Sequence, residues 1–170
     1  MNTIKPIRTK FATILMLCLS SSLLTGIGCG EDAKCPVKVE IINKEEAKYD
    51  SPENSYAAMI SALTKKDLSW YYETLTEESA TNDKKDFQES GIDPQKNFDL
   101  AKGTKADFII DKLPYKHGVL LICESHEEDG SIITGPSIFV KENGLWKTTF
   151  EFSSDEKLWD YLDYVKPEEK

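Results

Sequence analysis

Apolar residues recur at helical spacing after position 50 of the 170-residue chain. Spacing of i, i+3, i+4 and i+7 predicts an amphipathic helix with one buried stripe. Ser51 is a favourable N-cap, and Pro52 is well tolerated at the first helical position. The predicted stripe consists of Tyr56, Met59, Ile60 and Leu63.

A second helix is predicted in "LSWYYETL", where Asp67 is the N-cap. Residues 76–103 are mostly polar, and Gly91 and Pro94 exclude one long helix there. We therefore expect two short helices with a break between them.

After Lys105 the apolar period changes from 3.6 to 2, which predicts β-strands. Asp129-Gly130 and Asn143-Gly144 are typical of two-residue hairpin turns. Four segments rich in β-branched and aromatic residues surround these turns, and they are "ADFIIDKL", "HGVLLICESH", "SIITGPSIFV" and "GLWKTTFEF". Together they predict a four-stranded antiparallel meander.

Two tight turns would also fix the faces of this sheet. Leu120 and Ile122 are then expected on the face of Phe139 and the aromatic residues of the last strand, and Cys123 on the opposite face. A bulge at Gly135-Pro136 would shift this assignment by one residue.

The C-terminal "SSDEKLWDYLDYVKP" predicts one more helix, because Ser153 and Glu156 form a capping box and Pro167 can end it. Its apolar stripe is Leu158, Leu162 and Val165. The predicted fold class is α+β, with N-terminal helices packed on a curved antiparallel four-stranded meander sheet and an extra C-terminal helix.

The N-terminus has the pattern of a secretory signal peptide. Lys5, Arg8 and Lys10 precede a stretch, 11–28, that carries no charge. Three serines and two glycines lower the hydrophobicity of that stretch, which favours a cleaved signal over the alternative of a retained single-span anchor.

The segment "GIGC" at 26–29 resembles the lipobox of bacterial lipoproteins, in which the cysteine becomes the lipidated N-terminus. Cleavage would fall between Gly28 and Cys29. Gly26 departs from the usual Leu, which leaves ordinary signal cleavage nearby as an alternative. The resemblance implies an exported, lipid-anchored protein of the bacterial cell envelope, and Gly30 after the cysteine favours the outer over the inner membrane.

The net charge argues against electrostatic binding to membranes or to nucleic acid. The predicted signal contains three of the 21 Lys and Arg residues and none of the 30 acids, so its removal changes the net charge from −9 to −12. Such a protein repels phosphate backbones and anionic headgroups, so we expect no nucleic-acid partner and no polybasic docking to membranes. The expected membrane contact is the lipid on Cys29.

Two further cysteines remain after cleavage, Cys35 and Cys123. In an oxidising compartment they could form a disulfide, whereas a buried free Cys123 is the alternative. The sequence predicts a signal peptide at 1–28, a lipidated N-terminus and tether at 29–50, and one folded domain at 51–170.

Two motifs resemble the NTF2-like (nuclear transport factor 2-like, SnoaL-like) superfamily, which has a cystatin-like α+β fold. "SPENSYAAMISALTKKDLSWYYETLTEES" is similar to its opening helices, and "IFVKENGLWKTTFEF" is similar to its closing hairpin. The resemblance implies a bacterial lipoprotein of unknown function with a pocket between the helices and the sheet. Enzymes of the superfamily place an acid or a histidine there, but no particular catalytic set aligns onto this chain.

Candidate chemistry in the chain is sparse. Asp107 or Asp111 could act as acid or base if it projected into an apolar pocket, although charges at a sheet edge also discourage aggregation. His117 and His126 are interpreted as solvated turn residues. No spacing typical of a metal site or a cofactor site occurs, so neither is assigned.

We therefore expect binding without catalysis. The ligand would be small and apolar, or the partner would be an envelope protein. The alternatives are an NTF2-like enzyme of the isomerase, dehydratase or hydrolase type that uses a pocket carboxylate, and a structural lipoprotein without a pocket. The candidate pocket residues are Trp70, Tyr71, Asp107, Phe139, Trp146 and Phe150.

Overall fold

The computed structural model describes residues 36–99 and 104–158. The predicted signal peptide, Gly28, Cys29 and Cys35 lie outside this part of the chain, as does most of the predicted C-terminal helix. The helices are α1 Pro52–Thr64, α2 Leu68–Thr74, α3 Glu77–Ser90 and α4 Pro94–Asp99. The strands are β1 Val37–Lys38, β2 Thr104–Tyr115, β3 Gly118–Glu127, β4 Ile132–Glu142 and β5 Leu145–Thr149. The fold is α+β, as predicted.

The helix boundaries follow the capping residues. The Ser51 side chain accepts a hydrogen bond from the Asn54 N–H, and Asp67 accepts one from the Trp70 N–H. Gly91 ends α3 in the left-handed conformation, with φ of 68°. The predicted break between Gly91 and Pro94 is therefore confirmed.

The sheet has five antiparallel strands in the order β1-β2-β3-β4-β5, not the four that were predicted. The additional strand comes from the segment that was interpreted as a tether, where Val37 pairs with Ile109. A two-residue strand carries no readable alternation, so the sequence did not indicate it. The Val39 side chain is buried in the core, so packed structure begins before residue 51.

The faces of β3 are the reverse of those predicted. Phe139 pairs with Val119, and Ile138 pairs with Leu120, so Leu120 and Ile122 lie on the face opposite Phe139. The reason is the turn between β3 and β4, since the Glu127 N–H donates to the Ser131 C=O and leaves three loop residues instead of two. Gly130 takes the positive φ of 85° that such a loop requires.

The sheet carries an apolar core on each face. The helices cover one face, where α1 and α2 pack on β2 to β5. On the second face Tyr115, Leu120, Ile122 and Ile138 pack with Leu158, so the start of the C-terminal segment covers this face as expected. Asp155 accepts a hydrogen bond from the Lys157 N–H, whereas the cap was predicted at Ser153.

No helix among residues 36–99 and 104–158 is long and apolar enough to cross a membrane.

Candidate functional site

The predicted aromatic pocket residues belong to the core between the helices and the sheet. Trp70 is 1% exposed and Phe139 is 0% exposed, and Tyr71 is buried with them. Trp146 and Phe150 are half-buried and pack against the same cluster. The structure therefore brings these five side chains together, and they contribute to a packed interior.

Asp107 lies on the same helix-facing side of the sheet and is the buried carboxyl of the candidate site. Only 4% of it is exposed, and the Ser125 Oγ donates a hydrogen bond to its Oδ1 at 2.5 Å. Burial raises the pKa of Asp107, while the hydrogen bond from Ser125 and the nearby His126 oppose this shift. The protonated, neutral form is thus stabilised at this position.

Asp107 and Asp111, which strict alternation would place on one face, point to opposite faces. An irregularity between Ile109 and Asp111 adds a residue to β2, so Asp107 pairs with Ser125 and Asp111 pairs with Ile122. Asp111 accepts a hydrogen bond from the Lys112 N–H at 2.8 Å. Asp111 therefore fits the edge interpretation, and Asp107 fits the pocket interpretation.

Two more buried side chains extend the polar site under α1. The Tyr56 hydroxyl lies next to Cys123 and Ser125, and burial raises the pKa of Tyr56. Burial also raises the pKa of the Cys123 thiol to about 12, and Ser137 is a further neighbour of that thiol. At neutral pH this thiol is protonated, which makes it a poor nucleophile.

A cavity of about 310 Å³ adjoins Asp107 where the first strand diverges from β2. Its volume is within the range of small-molecule sites. Apolar and charged residues alternate in its lining, which consists of Lys38, Val39, Glu40, Ile41, Thr104, Lys105, Ala106 and Asp107. Apolar residues thus form part of the lining, and Asp107 is the buried acid among the lining residues.

Neither histidine forms a catalytic pair with a buried carboxyl among the described residues. His117 is exposed, and His126 packs against an aromatic ring. His117 is exposed in the turn after β2 and lies 3.8 Å from Glu151. His126 lies within β3 rather than in a turn, and its ring packs on Phe108 at 4.7 Å. Its Nε2 atom lies 3.4 Å from the Glu124 carboxylate, so the ring contacts both Phe108 and Glu124.

A second buried carboxyl, Asp83, lies on α3. Burial raises its pKa, and in the described part of the chain neither its Oδ2 atom nor the nearby Tyr72 hydroxyl has a hydrogen-bond partner. The Tyr72 hydroxyl has a pKa raised to about 12 by burial and by the neighbouring Asp83 charge. Asp83 contributes to packing between α2 and α3.

An acidic surface lies at the opposite edge of the sheet from β1. The Glu77 N–H at the start of α3 donates to the Glu142 carboxylate, at 3.1 and 3.3 Å from its two oxygens. Glu78 lies beside them in an open depression of about 380 Å³. This surface is solvated and highly charged.

No group of three or more His, Cys, Asp or Glu side chains in the described part of the chain could hold a metal ion. Cys123 is buried on β3, but Cys35 lies outside the described residues, so the Cys35–Cys123 disulfide stays a prediction.

Tyr56 and Ser125 are the site residues that the sequence did not reveal. Tyr56 fits the apolar stripe of α1, so the sequence pattern indicates a core residue and gives no sign of a polar role for its hydroxyl. Ser125 faces Asp107 only because of the irregularity between Ile109 and Asp111 in β2. No Gly, Pro or Asn at that point of the sequence indicates the irregularity.

No family model, curated protein or solved structure matches this chain.

Proposed function

We propose that this chain is an exported bacterial protein, anchored by lipid on Cys29, whose NTF2-like domain binds a small ligand without catalysis. Supporting this proposal are the signal and lipobox pattern of the sequence and a fold in which helices cover one face of an antiparallel sheet. The proposed domain includes the C-terminal helix that the sequence predicts, whose first apolar residue, Leu158, is buried on the second face of the sheet.

The observation that carries the proposal is the buried Asp107 carboxyl beside the cavity of about 310 Å³. Small-molecule sites are mostly apolar and contain a few polar groups that orient the ligand. Val39 and Ala106 provide the apolar surface, and Asp107 provides the polar group. We therefore propose a ligand that is largely apolar and has one hydrogen-bonding group.

An enzyme of the same fold is the second candidate. Its supporting observation is the buried Asp107 carboxyl, because burial raises its pKa and so favours the protonated form that a general acid needs. Ser125 and Tyr56 would then position that carboxyl.

A structural lipoprotein, or one that binds an envelope protein, is the third candidate. The close packing of Trp70 and Phe139 favours it, because these residues belong to a filled core.

Ligand binding can be tested on protein purified from the membrane fraction with mild detergent. Native mass spectrometry is expected to detect a small molecule bound to the wild-type protein and to detect much less of it on Asp107→Asn. Asp111→Asn is the matched control, because it makes the same change in the same strand at the sheet edge. Equal occupancy of both variants would contradict the assignment to Asp107, and an empty wild-type protein would favour the third candidate.

The anchor can be tested separately. Wild-type protein is expected in the membrane fraction with the intact mass of an acylated Cys29 N-terminus, because several acyl chains on one cysteine give stable attachment. Cys29→Ala is expected in the soluble export fraction. A Cys29→Ala protein that stayed in the membrane would refute the lipid anchor.

A further inference from the structure

The first strand of the sheet fixes the point at which the chain leaves the folded domain. Val37 pairs with Ile109, and the Val39 N–H donates to the Asp107 C=O at 2.8 Å. The Val39 side chain is buried in the core. From Val37 onward, therefore, the chain moves with the sheet.

Seven residues, 30–36, lie between the proposed lipid-bearing Cys29 and Val37, so the two residues are eight Cα steps apart. Covalent geometry limits that distance to about 29 Å even when the chain is fully extended. A domain of this size has a radius of gyration of about 14 Å and is therefore about 35 Å across. The tether is shorter than the domain, so Val37 cannot lie on the side that is farthest from the bilayer.

Two exposed apolar side chains lie at this end of the molecule. Val37 is 63% exposed and Ile41 is 48% exposed, and both are within the first six residues that the structure describes. Single exposed apolar residues are common on protein surfaces. Here, however, the lipid on Cys29 would hold both next to a bilayer, where a weak contact is favoured by the high effective concentration.

The strand order places the acidic surface on the other side. β1 and β5 are the two edges of the sheet and are separated by about 19 Å at the usual strand spacing. Glu77, Glu78 and Glu142 lie at the β4–β5 edge. With β1 towards the bilayer, these acids are kept away from anionic headgroups.

We infer that the β1 edge, Val37 to Ile41, is the membrane-facing surface of the anchored domain and contacts a lipid bilayer through Val37 and Ile41. This inference rests on the proposed anchor at Cys29. The contact is apolar: Lys38 and Lys105 are offset by Glu40 and by the acids Glu127 to Asp129 at the nearby sheet end. Anionic lipids are therefore not required for it.

The test uses acylated full-length protein in phosphatidylcholine vesicles that contain a nitroxide-labelled lipid as quencher. A fluorophore is attached at Val37→Cys or, as the control, at Glu78→Cys on the acidic surface, each in a Cys35→Ser background. The buried Cys123, whose pKa is raised to about 12, reacts little with the label. Several-fold stronger quenching is expected at position 37 than at position 78.

A second pair of variants tests the apolar contact. Ile41→Ser is expected to reduce quenching of the label at position 37. Leu145→Ser is the matched control, since Leu145 is 44% exposed but lies on β5, at the opposite edge of the sheet from β1, and its substitution is expected to leave quenching unchanged.

The remaining outcomes separate the inference from its premise. Acylated protein with equal quenching at positions 37 and 78, or with none at either, overturns the orientation alone. An intact mass without acyl chains on Cys29 overturns the anchor and the orientation together. A label at position 37 that is shielded without vesicles, in proportion to protein concentration, assigns this edge to a second copy of the chain and overturns contact with lipid.

Discussion

At the scale of single residues, the buried Asp107 carboxyl is an unexpected feature of the interior. A buried carboxyl opposes folding unless its hydrogen bonds compensate for lost hydration. The bond from Ser125 compensates in part, and burial still raises the Asp107 pKa. Residues that break the rules of core packing are concentrated at functional sites, so Asp107 is the best candidate for a side chain retained for binding rather than for stability.

The raised pKa predicts the sign of a pH effect. Because the folded state holds the Asp107 proton more tightly than the unfolded state, this carboxyl lowers stability as pH rises from about 4, the usual Asp value, through the folded pKa. Asp107→Asn is therefore expected to be at least as stable as the wild type at pH 7, with a smaller advantage near pH 4. Urea unfolding across this range, with Asp111→Asn as control, measures the effect. A marked loss of stability at pH 7 would show that Asp107 is a structural requirement.

At the scale of elements, the β5 edge of the sheet and the part of β2 that β1 does not cover are protected from pairing with another strand. On β5 the Trp146 N–H donates to the Tyr49 C=O at 2.8 Å, and the Thr76 N–H donates to the Thr148 C=O at 2.9 Å. On β2 the Asp111 carboxylate caps the Lys112 N–H, and Pro114 has no N–H to offer. Such devices prevent pairing with another strand, so we expect partners to bind through side chains rather than by strand addition.

Close approach of β3 and β4 predicts different effects for two glycines. A Cβ atom at Gly118 would lie 2.3 Å from the Phe139 backbone oxygen and 2.9 Å from Val140 Cγ1, whereas one at Gly135 would meet nothing within 4 Å. Gly118→Ala is expected to cost about 1–3 kcal/mol of unfolding free energy. Gly135→Ala is expected to be neutral or to stabilise the protein by about 0.4–1 kcal/mol. Chemical denaturation measures both, and equal effects would contradict the close approach.

Local signals in the sequence predicted the elements well but not their register. Ser51, Asp67 and Gly91 mark helix ends because capping depends on neighbouring residues. Asn143-Gly144 gave the correct two-residue turn, whereas Asp129-Gly130 belongs to a three-residue loop, and this difference reversed the faces of β3. The Asp107–Ser125 pair depends on an irregularity within β2, which is set by packing and has no sequence signal.

At the scale of the whole molecule, the two faces of the sheet are covered by opposite ends of the chain. The N-terminal helices pack on one face, and residues 151–158 turn back onto the other. Phe152 packs against Tyr115 and His117, at ring distances of 5.8 and 5.3 Å. Asp155 joins this segment to the turn after β2, because it accepts hydrogen bonds from the Tyr115 hydroxyl at 2.8 Å and from the Lys116 ammonium at 2.9 Å.

Acid should therefore weaken the cover on the second face. The hydrogen bonds from Lys116 and Tyr115 lower the pKa of Asp155 to about 2, below the usual Asp value of about 4. A lowered pKa stabilises the fold above pH 4, and that contribution is lost as pH falls from about 4 to about 2. Asp155→Asn is expected to lower the melting temperature at pH 7 and to differ less from the wild type near pH 2. Glu156→Gln, an exposed neighbour, is the control. Asp155→Asn and Glu156→Gln proteins with the same pH profile would contradict a role for Asp155 in closing this face.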